Sequence, residues 1–161
     1  MSAMTRSIPS IDFRLATSAS EAERQQFVRE VGDALKDIGF FALTHHGIPR
    51  SLIDETYAQC DAFFDLDEPT KRLYLQPGIG HQRGYTAFGV EHAKDNPAPD
   101  LKEFWQTGRA YPEDGTTPTY PRNVWPTAHV EGFQSITEAL FSGMESLAQH
   151  LLAACSCLLY T

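Results

Sequence analysis

Apolar residues recur at helical spacing in three stretches of the chain, and these stretches predict its three main helices. The first helix follows Ser20, where Glu23 stands three residues further on and completes a capping-box pattern, and it ends at Gly39. The second helix follows Pro49, and Asp67 is placed to cap a short helical turn after it. The apolar stripe of the third and longest helix is formed by Phe133, Ile136, Leu140, Met144, Leu147 and Leu151.

Four short segments that are apolar or alternate between apolar and polar residues predict strands. The first covers residues 8–13, and the compact apolar run at residues 40–44 is typical of a buried strand. Two more strands are expected at residues 84–90 and 102–108, within a stretch rich in proline and glycine. Helices combined with a few short strands in this order indicate an α+β fold.

Size and charge narrow the classes of function. The chain has 161 residues, which fits one ordinary domain. Its 13 basic residues stand against 21 acidic ones, and the net charge of −8 disfavours a nucleic-acid partner. No apolar run is long enough to cross a bilayer, so no membrane partner is expected. Three cysteines give no disulfide framework, and a cytoplasmic location is the expectation.

The histidines suggest a metal site in only one arrangement. His129, Glu131 and His150 have the order of a two-histidine, one-carboxylate iron site. Glu131 and His150 fall on the third predicted helix, 19 residues and therefore about 28 Å apart, so one ion cannot bind both. His45 and His46 precede a glycine and are interpreted as turn residues, because neighbours in an extended chain point to opposite faces. No metal ligand and no catalytic residue is therefore predicted in this chain.

The segment Arg83-Gly84-Tyr85 is the candidate for substrate binding. An arginine beside a glycine, followed by a phenol, can hold a carboxylate at the rim of a pocket. The alternative is that Arg83 is an ordinary surface residue of a loop. The residues alone leave both interpretations open for Arg83 and Tyr85.

A family resemblance rests on several short motifs found in order along the chain. These are Ile8-Pro9-Ser10-Ile11-Asp12, Gly39-Phe40-Phe41, His45-His46-Gly47-Ile48-Pro49, Asp67-Glu68-Pro69-Thr70-Lys71 and Arg83-Gly84-Tyr85. Together they resemble the N-terminal region of the isopenicillin N synthase-like oxygenases, which are non-haem iron enzymes and mostly 2-oxoglutarate-dependent. The resemblance covers residues 8 to about 154. His45 departs from it, since asparagine is commonest at that position in the family.

The resemblance implies a jelly-roll (double-stranded β-helix) oxygenase that binds Fe(II) and 2-oxoglutarate and acts on a small-molecule substrate. Family members hold the iron with a His-x-Asp pair and a distant histidine, and an Arg-x-Ser motif binds a carboxylate. This sequence contains no His-x-Asp pair. Residues 1–161 are therefore expected to form the N-terminal α+β part of such an enzyme, without its catalytic jelly-roll core and without cofactors of their own.

The function expected from this combination is that of the N-terminal portion of a non-haem Fe(II), 2-oxoglutarate-dependent dioxygenase, inactive alone. The third helix stops without a cap, which is interpreted as truncation, and its apolar stripe is expected to cause self-association. One alternative is a non-catalytic interaction domain that a partner chain completes. A second is a small metalloenzyme that uses His129, Glu131 and His150.

Overall fold

The computed structural model describes residues 7–94, 97–112 and 115–159. The chain divides into two compact units. The first combines Met1–Ile48 with Ser142–Thr161, and the second is Pro49–Phe141. The elements are α-helices and short strands, in keeping with the α+β class predicted from the sequence.

The first unit is built on a parallel pair of strands, β1 (Ser10–Asp12) and β2 (Ala42–Thr44), in which Ile11 lies opposite Leu43. Parallel neighbours need a long crossover, and helix α1 (Glu21–Asp37) lies within it. A 3-10 turn, Phe13–Leu15, joins β1 to the segment before α1. The buried residues of this unit are Ile11, Phe27, Val31, Ala34 and Ala154.

The first turn of α1 differs from the capping box predicted from the sequence. Ser20 is the N-cap residue, but its side chain makes no capping bond. The Ser18 hydroxyl instead donates to the Glu23 carboxylate, and the Ser20 N–H donates to the Ser18 oxygen at 3.0 Å. The Glu23 carboxylate, which in a capping box would accept from the Ser20 N–H, thus accepts from Ser18 instead. The predicted end is confirmed, because Gly39 has a φ of +85° and its N–H donates to the Ala34 carbonyl at 3.0 Å.

The prediction of a buried strand at residues 40–44 is wrong in length and burial. Strand β2 has only three residues, and Phe40, just before it, is 70% exposed. Among the described residues, β2 pairs with β1 alone. A two-stranded sheet covers few of the side chains that stand on it, so an apolar run here does not become core.

The second unit begins with helix α2 (Arg50–Phe64), followed by the short helix α3 (Glu68–Arg72). The Asp67 carboxylate caps α3, as predicted, by accepting from the Thr70 N–H at 3.0 Å. A 3-10 turn, Pro77–Ile79, comes before the next strand. The buried apolar residues of this unit are Phe63, Tyr74, Tyr85, Ala87, Val130 and Phe133.

Strands β3 (Gly84–Thr86) and β4 (Phe104–Gln106) pair antiparallel, with Tyr85 opposite Trp105. Both strands are shorter than the segments 84–90 and 102–108 predicted from the sequence. The ring of Phe63 lies 4.7 Å from that of Trp105 and 5.7 Å from that of Tyr85, centroid to centroid. An aromatic cluster around Phe63 therefore packs α2 against this strand pair.

Helix α4 (Phe133–Leu159) confirms the long helix predicted from the apolar stripe. It begins in the second unit, where Phe133 is buried, and continues into the first unit. Glu131 lies before its first residue, so the placement of Glu131 on this helix was wrong. Gly132, with a φ of +85°, separates Glu131 from the helix.

Candidate functional site

A buried polar cluster in the second unit joins α3 to the strand pair β3–β4. The amine of Lys71 donates to both carboxylate oxygens of Glu103, at 3.1 and 2.8 Å, and to the Phe64 carbonyl at 3.3 Å. The Tyr85 hydroxyl donates to Glu103 and, at 3.4 Å, to Glu68. Glu68 and Lys71 belong to α3, Tyr85 belongs to β3, and Glu103 directly precedes β4, so these contacts link the short helix to both strands.

Burial decides the electrostatics of this cluster. Only 9% of the Lys71 side chain and 16% of the Glu103 side chain are exposed. Burial, and after it the hydrogen bond to Glu103, raises the pKa of Tyr85 well above its usual range. Tyr85 therefore stays a neutral donor, and the ion pair fixes the position of β4 on α3.

Arg83 precedes β3 and lies half-buried against the backbone of Gly108, where an added Cβ would overlap the guanidinium. Its Nη1 donates to the Gln82 carbonyl at 2.6 Å. Its Nε is buried and has no hydrogen-bond partner among the described residues. Gly108 is itself fixed, because its N–H donates to the Asn123 side chain at 2.9 Å and its carbonyl accepts from it at 2.7 Å.

Gly84 lies between Arg83 and Tyr85 and has a left-handed backbone conformation. Its φ is +75°, and a Cβ there would lie 2.5 Å from the Tyr74 carbonyl oxygen. The same oxygen accepts from the Tyr85 N–H at 3.1 Å. Tyr85 is fully buried in the core. Arg83 and Tyr85, the two residues predicted to bind substrate, therefore do not face a common cavity in this conformation.

The residues proposed for an iron triad have other partners. The Tyr74 hydroxyl lies 2.6 Å from His129 Nδ1, and His150 Nδ1 lies 2.9 Å from the Ser146 carbonyl oxygen of its own helix. Glu131 is exposed. Over the described ranges, no group of three or more histidine, cysteine or acidic side chains is arranged to hold a metal ion. The residues present therefore do not fit the Fe(II) site of the oxygenase family.

His45 and His46 form the turn that the sequence predicted for them. His45 has a φ of +52°, and its Nδ1 lies 3.2 Å from an Asp12 carboxylate oxygen. His46 Nδ1 accepts from the Ile48 N–H at 3.2 Å. Asparagine, like histidine, tolerates a left-handed backbone better than most residues, so the departure at His45 is compatible with the same backbone conformation.

The sequence analysis missed Lys71 and Glu103 as partners. A signal was present, because Glu103 directly precedes the aromatic residues of β4 and Lys71 belongs to the short capped helix. A charged residue inside an apolar segment indicates a buried pair, but 32 residues separate the two, and spacing alone does not identify the partner.

Comparison with known proteins was made by family, by sequence and by structure. A family model described as "non-haem dioxygenase in morphine synthesis N-terminal" matches residues 8–128. A 2-oxoglutarate-dependent dioxygenase from Trichoderma harzianum is 34% identical, over 80% of this chain and 40% of its own length. Another from a Phoma species is 32% identical, over 90% of this chain and 49% of its own. The chain thus spans about half the length, or less, of these relatives.

Solved structures give the same result. A protein of Caulobacter crescentus, described as belonging to the 2OG-Fe(II) oxygenase family, superposes with a TM-score of 0.76 at 31% identity. The match covers 93% of this chain and 48% of that protein. A full-length protein of Neurospora crassa, solved in complex with alpha-KG, has a TM-score of 0.71 at 24% identity, over 96% of this chain and 48% of that one, which shows a shared fold.

A search for membrane spans covered the helices of the described residues. None of these helices combines the length and the apolar character that crossing a bilayer requires.

Proposed function

Because this chain belongs to the family of non-haem dioxygenase N-terminal domains, we propose that it forms the N-terminal part of a non-haem Fe(II), 2-oxoglutarate-dependent dioxygenase that oxidises a small organic substrate. The observation that carries the proposal is the match of 93% of the chain to 48% of the Caulobacter oxygenase, at 31% identity. Relatives named 2-oxoglutarate-dependent dioxygenases support the same cofactors for the complete protein.

The proposal assigns this chain a supporting part in the reaction. Its described residues bring no three metal-ligating side chains together, so the Fe(II) and 2-oxoglutarate sites belong, under the proposal, to the half of the family length outside this match. The chain by itself is then inactive. Its contribution is structural. The aromatic cluster around Phe63 and the buried pair of Lys71 and Glu103 give it a rigid core.

Arg83 is the proposed contact to an anionic group of the substrate. Its guanidinium is held against Gly108 and has donors left over, Nε among them. The role predicted for Tyr85 requires its hydroxyl to leave Glu103, where it now donates. The role of Arg83 needs no rearrangement of its contacts, whereas that of Tyr85 does, so each role is tested by its own substitution.

The test of the proposed function is a chimera. This chain replaces the matching half of the Caulobacter protein, and succinate formation from 2-oxoglutarate is measured with Fe(II) and oxygen. We expect turnover in the chimera and none in the 161-residue chain alone. A folded chimera that binds Fe(II) but forms no succinate would contradict the proposal, and so would succinate formation by the chain alone.

Arg83 is tested in the same chimera. A charged hydrogen bond is worth about 1.5–3 kcal/mol, so Arg83→Leu is expected to raise the substrate KM at least tenfold, with kcat nearly unchanged. Arg50→Leu is the matched control, because the Arg50 side chain is 84% exposed and pairs only with Asp54 on the same helix among the described residues. An unchanged KM in Arg83→Leu would leave Arg83 as a structural residue, and a KM changed by Tyr85→Phe would support the role predicted for Tyr85.

A further inference from the structure

A cavity of about 380 Å³ lies in the second unit, beside the start of α4. It falls within the size range of pockets that bind small molecules. It takes no part in the proposed function, since neither Arg83 nor Tyr85 lines it. The residues that line it are Ala110, Tyr111, Arg122, Asn123, Trp125, Gln134 and Glu138.

The positive side of this cavity is held in place before any ligand binds. The guanidinium carbon of Arg122 lies 3.9 Å from the centroid of the Tyr111 ring. Tyr111 packs edge-on against Tyr120, and its hydroxyl donates to the Tyr120 carbonyl at 2.9 Å. The Tyr120 hydroxyl in turn donates to the Ala110 carbonyl at 3.0 Å. A stacked, braced guanidinium loses little side-chain freedom when it binds a carboxylate.

The negative side of the cavity is Glu138 on α4. Its described hydrogen-bond partner is the neutral amide of Gln134, at 3.3 Å. No ion pair within 4.0 Å joins Arg122 or Glu138 to an oppositely charged side chain of the described ranges. The Asn123 amide is occupied by Gly108. The cavity is thus lined by one charged residue of each sign, Arg122 and Glu138, which do not form an ion pair within 4.0 Å with each other.

From this arrangement we propose that the cavity binds a small zwitterion of the amino acid class. The carboxylate of the ligand lies at Arg122, whose planar guanidinium suits a two-oxygen acceptor. The ammonium group of the ligand lies at Glu138, and the indole of Trp125 provides an apolar wall for a side chain. A ligand with a single charge would satisfy one of the two groups and leave the other without a counter-charge.

The test compares three probes of similar shape on the full chain. L-phenylalanine carries both charges, phenylacetate carries only the carboxylate, and phenethylamine carries only the ammonium. We expect millimolar binding of L-phenylalanine and binding about fivefold weaker for each singly charged probe, since solvent-accessible ion pairs contribute up to about 1 kcal/mol. Binding is measured by saturation-transfer nuclear magnetic resonance and located by shifts of the Trp125 indole N–H signal.

Two substitutions separate the two ends of the ligand. Arg122→Gln is expected to abolish the preference for L-phenylalanine over phenethylamine, and Glu138→Gln the preference over phenylacetate. Arg29→Gln, an exposed position on α1, removes the same charge as Arg122→Gln and is expected to change neither preference. Equal binding of the three probes to the unaltered protein, absence of saturable binding, or no shift at Trp125 would each overturn the proposal, even if a variant failed to fold.

Discussion

At the scale of single residues, the carboxylate of Asp12 shows how hydrogen bonds change the pKa of a side chain. Asp12 ends β1, and its carboxylate accepts from the Arg14 backbone N–H and from the Arg14 guanidinium, each at 3.0 Å. The hydrogen bonds from Arg14 lower the pKa of Asp12 to about 2, against an ordinary value of 3.8. The Nδ1 atom of His45 lies 3.2 Å from an oxygen of the same carboxylate. One acidic side chain thereby joins the end of β1 to the turn after β2.

The pH dependence of stability follows from that lowered pKa. A carboxyl group with a lower pKa in the folded protein stabilises it above the unfolded pKa, and this contribution disappears as the pH falls from about 4 through about 2. We expect Asp12→Asn to destabilise the protein at pH 6 and to have a much smaller effect near pH 2. Urea unfolding at both pH values measures this. Curves for Asp12→Asn and the unaltered protein that differ equally at both pH values would contradict the assignment.

The buried pair of Lys71 and Glu103 gives a second prediction at this scale. Removing one partner leaves a buried charge without compensation, so Lys71→Met is expected to lower the free energy of unfolding by about 3 kcal/mol. Lys102→Met serves as the control, because the Lys102 side chain is 51% exposed and its pairs with Glu91 and Asp100 contribute about 1 kcal/mol or less. Chemical denaturation measures both. Adding Glu103→Gln to Lys71→Met should recover part of the loss, and the absence of any recovery would contradict a paired role.

At the scale of elements, the sequence predicted helices better than strands. The capped helix α3, the glycine end of α1 and the long α4 follow from local spacing, because a helix satisfies its own backbone. Strand lengths and burial depend on partners elsewhere in the chain, so the run before and within β2 was wrongly predicted as core. The pairing of Lys71 with Glu103 was missed for the same reason, since contacts across 32 residues leave no periodic pattern.

The turn into β3 gives a prediction at the element scale. Gly84 has both a positive φ and a close backbone neighbour, the Tyr74 oxygen, so Gly84→Ala must displace β3. Gly80 also has a positive φ, of +62°, but nothing lies within 4 Å of a Cβ built there. Gly80→Ala is expected to cost about 1–2 kcal/mol from the left-handed backbone alone, and Gly84→Ala more than that. Equal losses in thermal or urea unfolding would show that β3 does not need the close approach.

At the scale of the whole molecule, several large apolar side chains are exposed to solvent. Leu101 is 90% exposed, and on α4 Met144, Leu152 and Leu159 are all exposed. We expect exposed apolar residues along one helix to promote association. The self-association expected from the sequence stays a prediction. The exposed residues of α4 identify the surface through which we expect it to occur.

Association through α4 is tested at two protein concentrations. We expect sedimentation velocity to show larger species as the concentration rises, and Leu152→Glu to reduce them, because a buried charge opposes an apolar contact. Lys36→Gln, in the last turn of α1, controls for the change in net charge, because it also lowers the net charge by one. A monomer at high concentration, together with one sharp unfolding transition, would instead indicate a domain whose core is complete.

The bonds between Asn123 and Gly108 have a consequence for engineering the protein. They hold together the two ends of the loop between Gly108 and Asn123. Doubling the length of such a loop costs only about 0.6 kcal/mol in closure entropy. Thr117 lies on this loop and is exposed, so a peptide epitope or a fluorophore-binding tag inserted after it should leave β4 and the start of α4 unaltered.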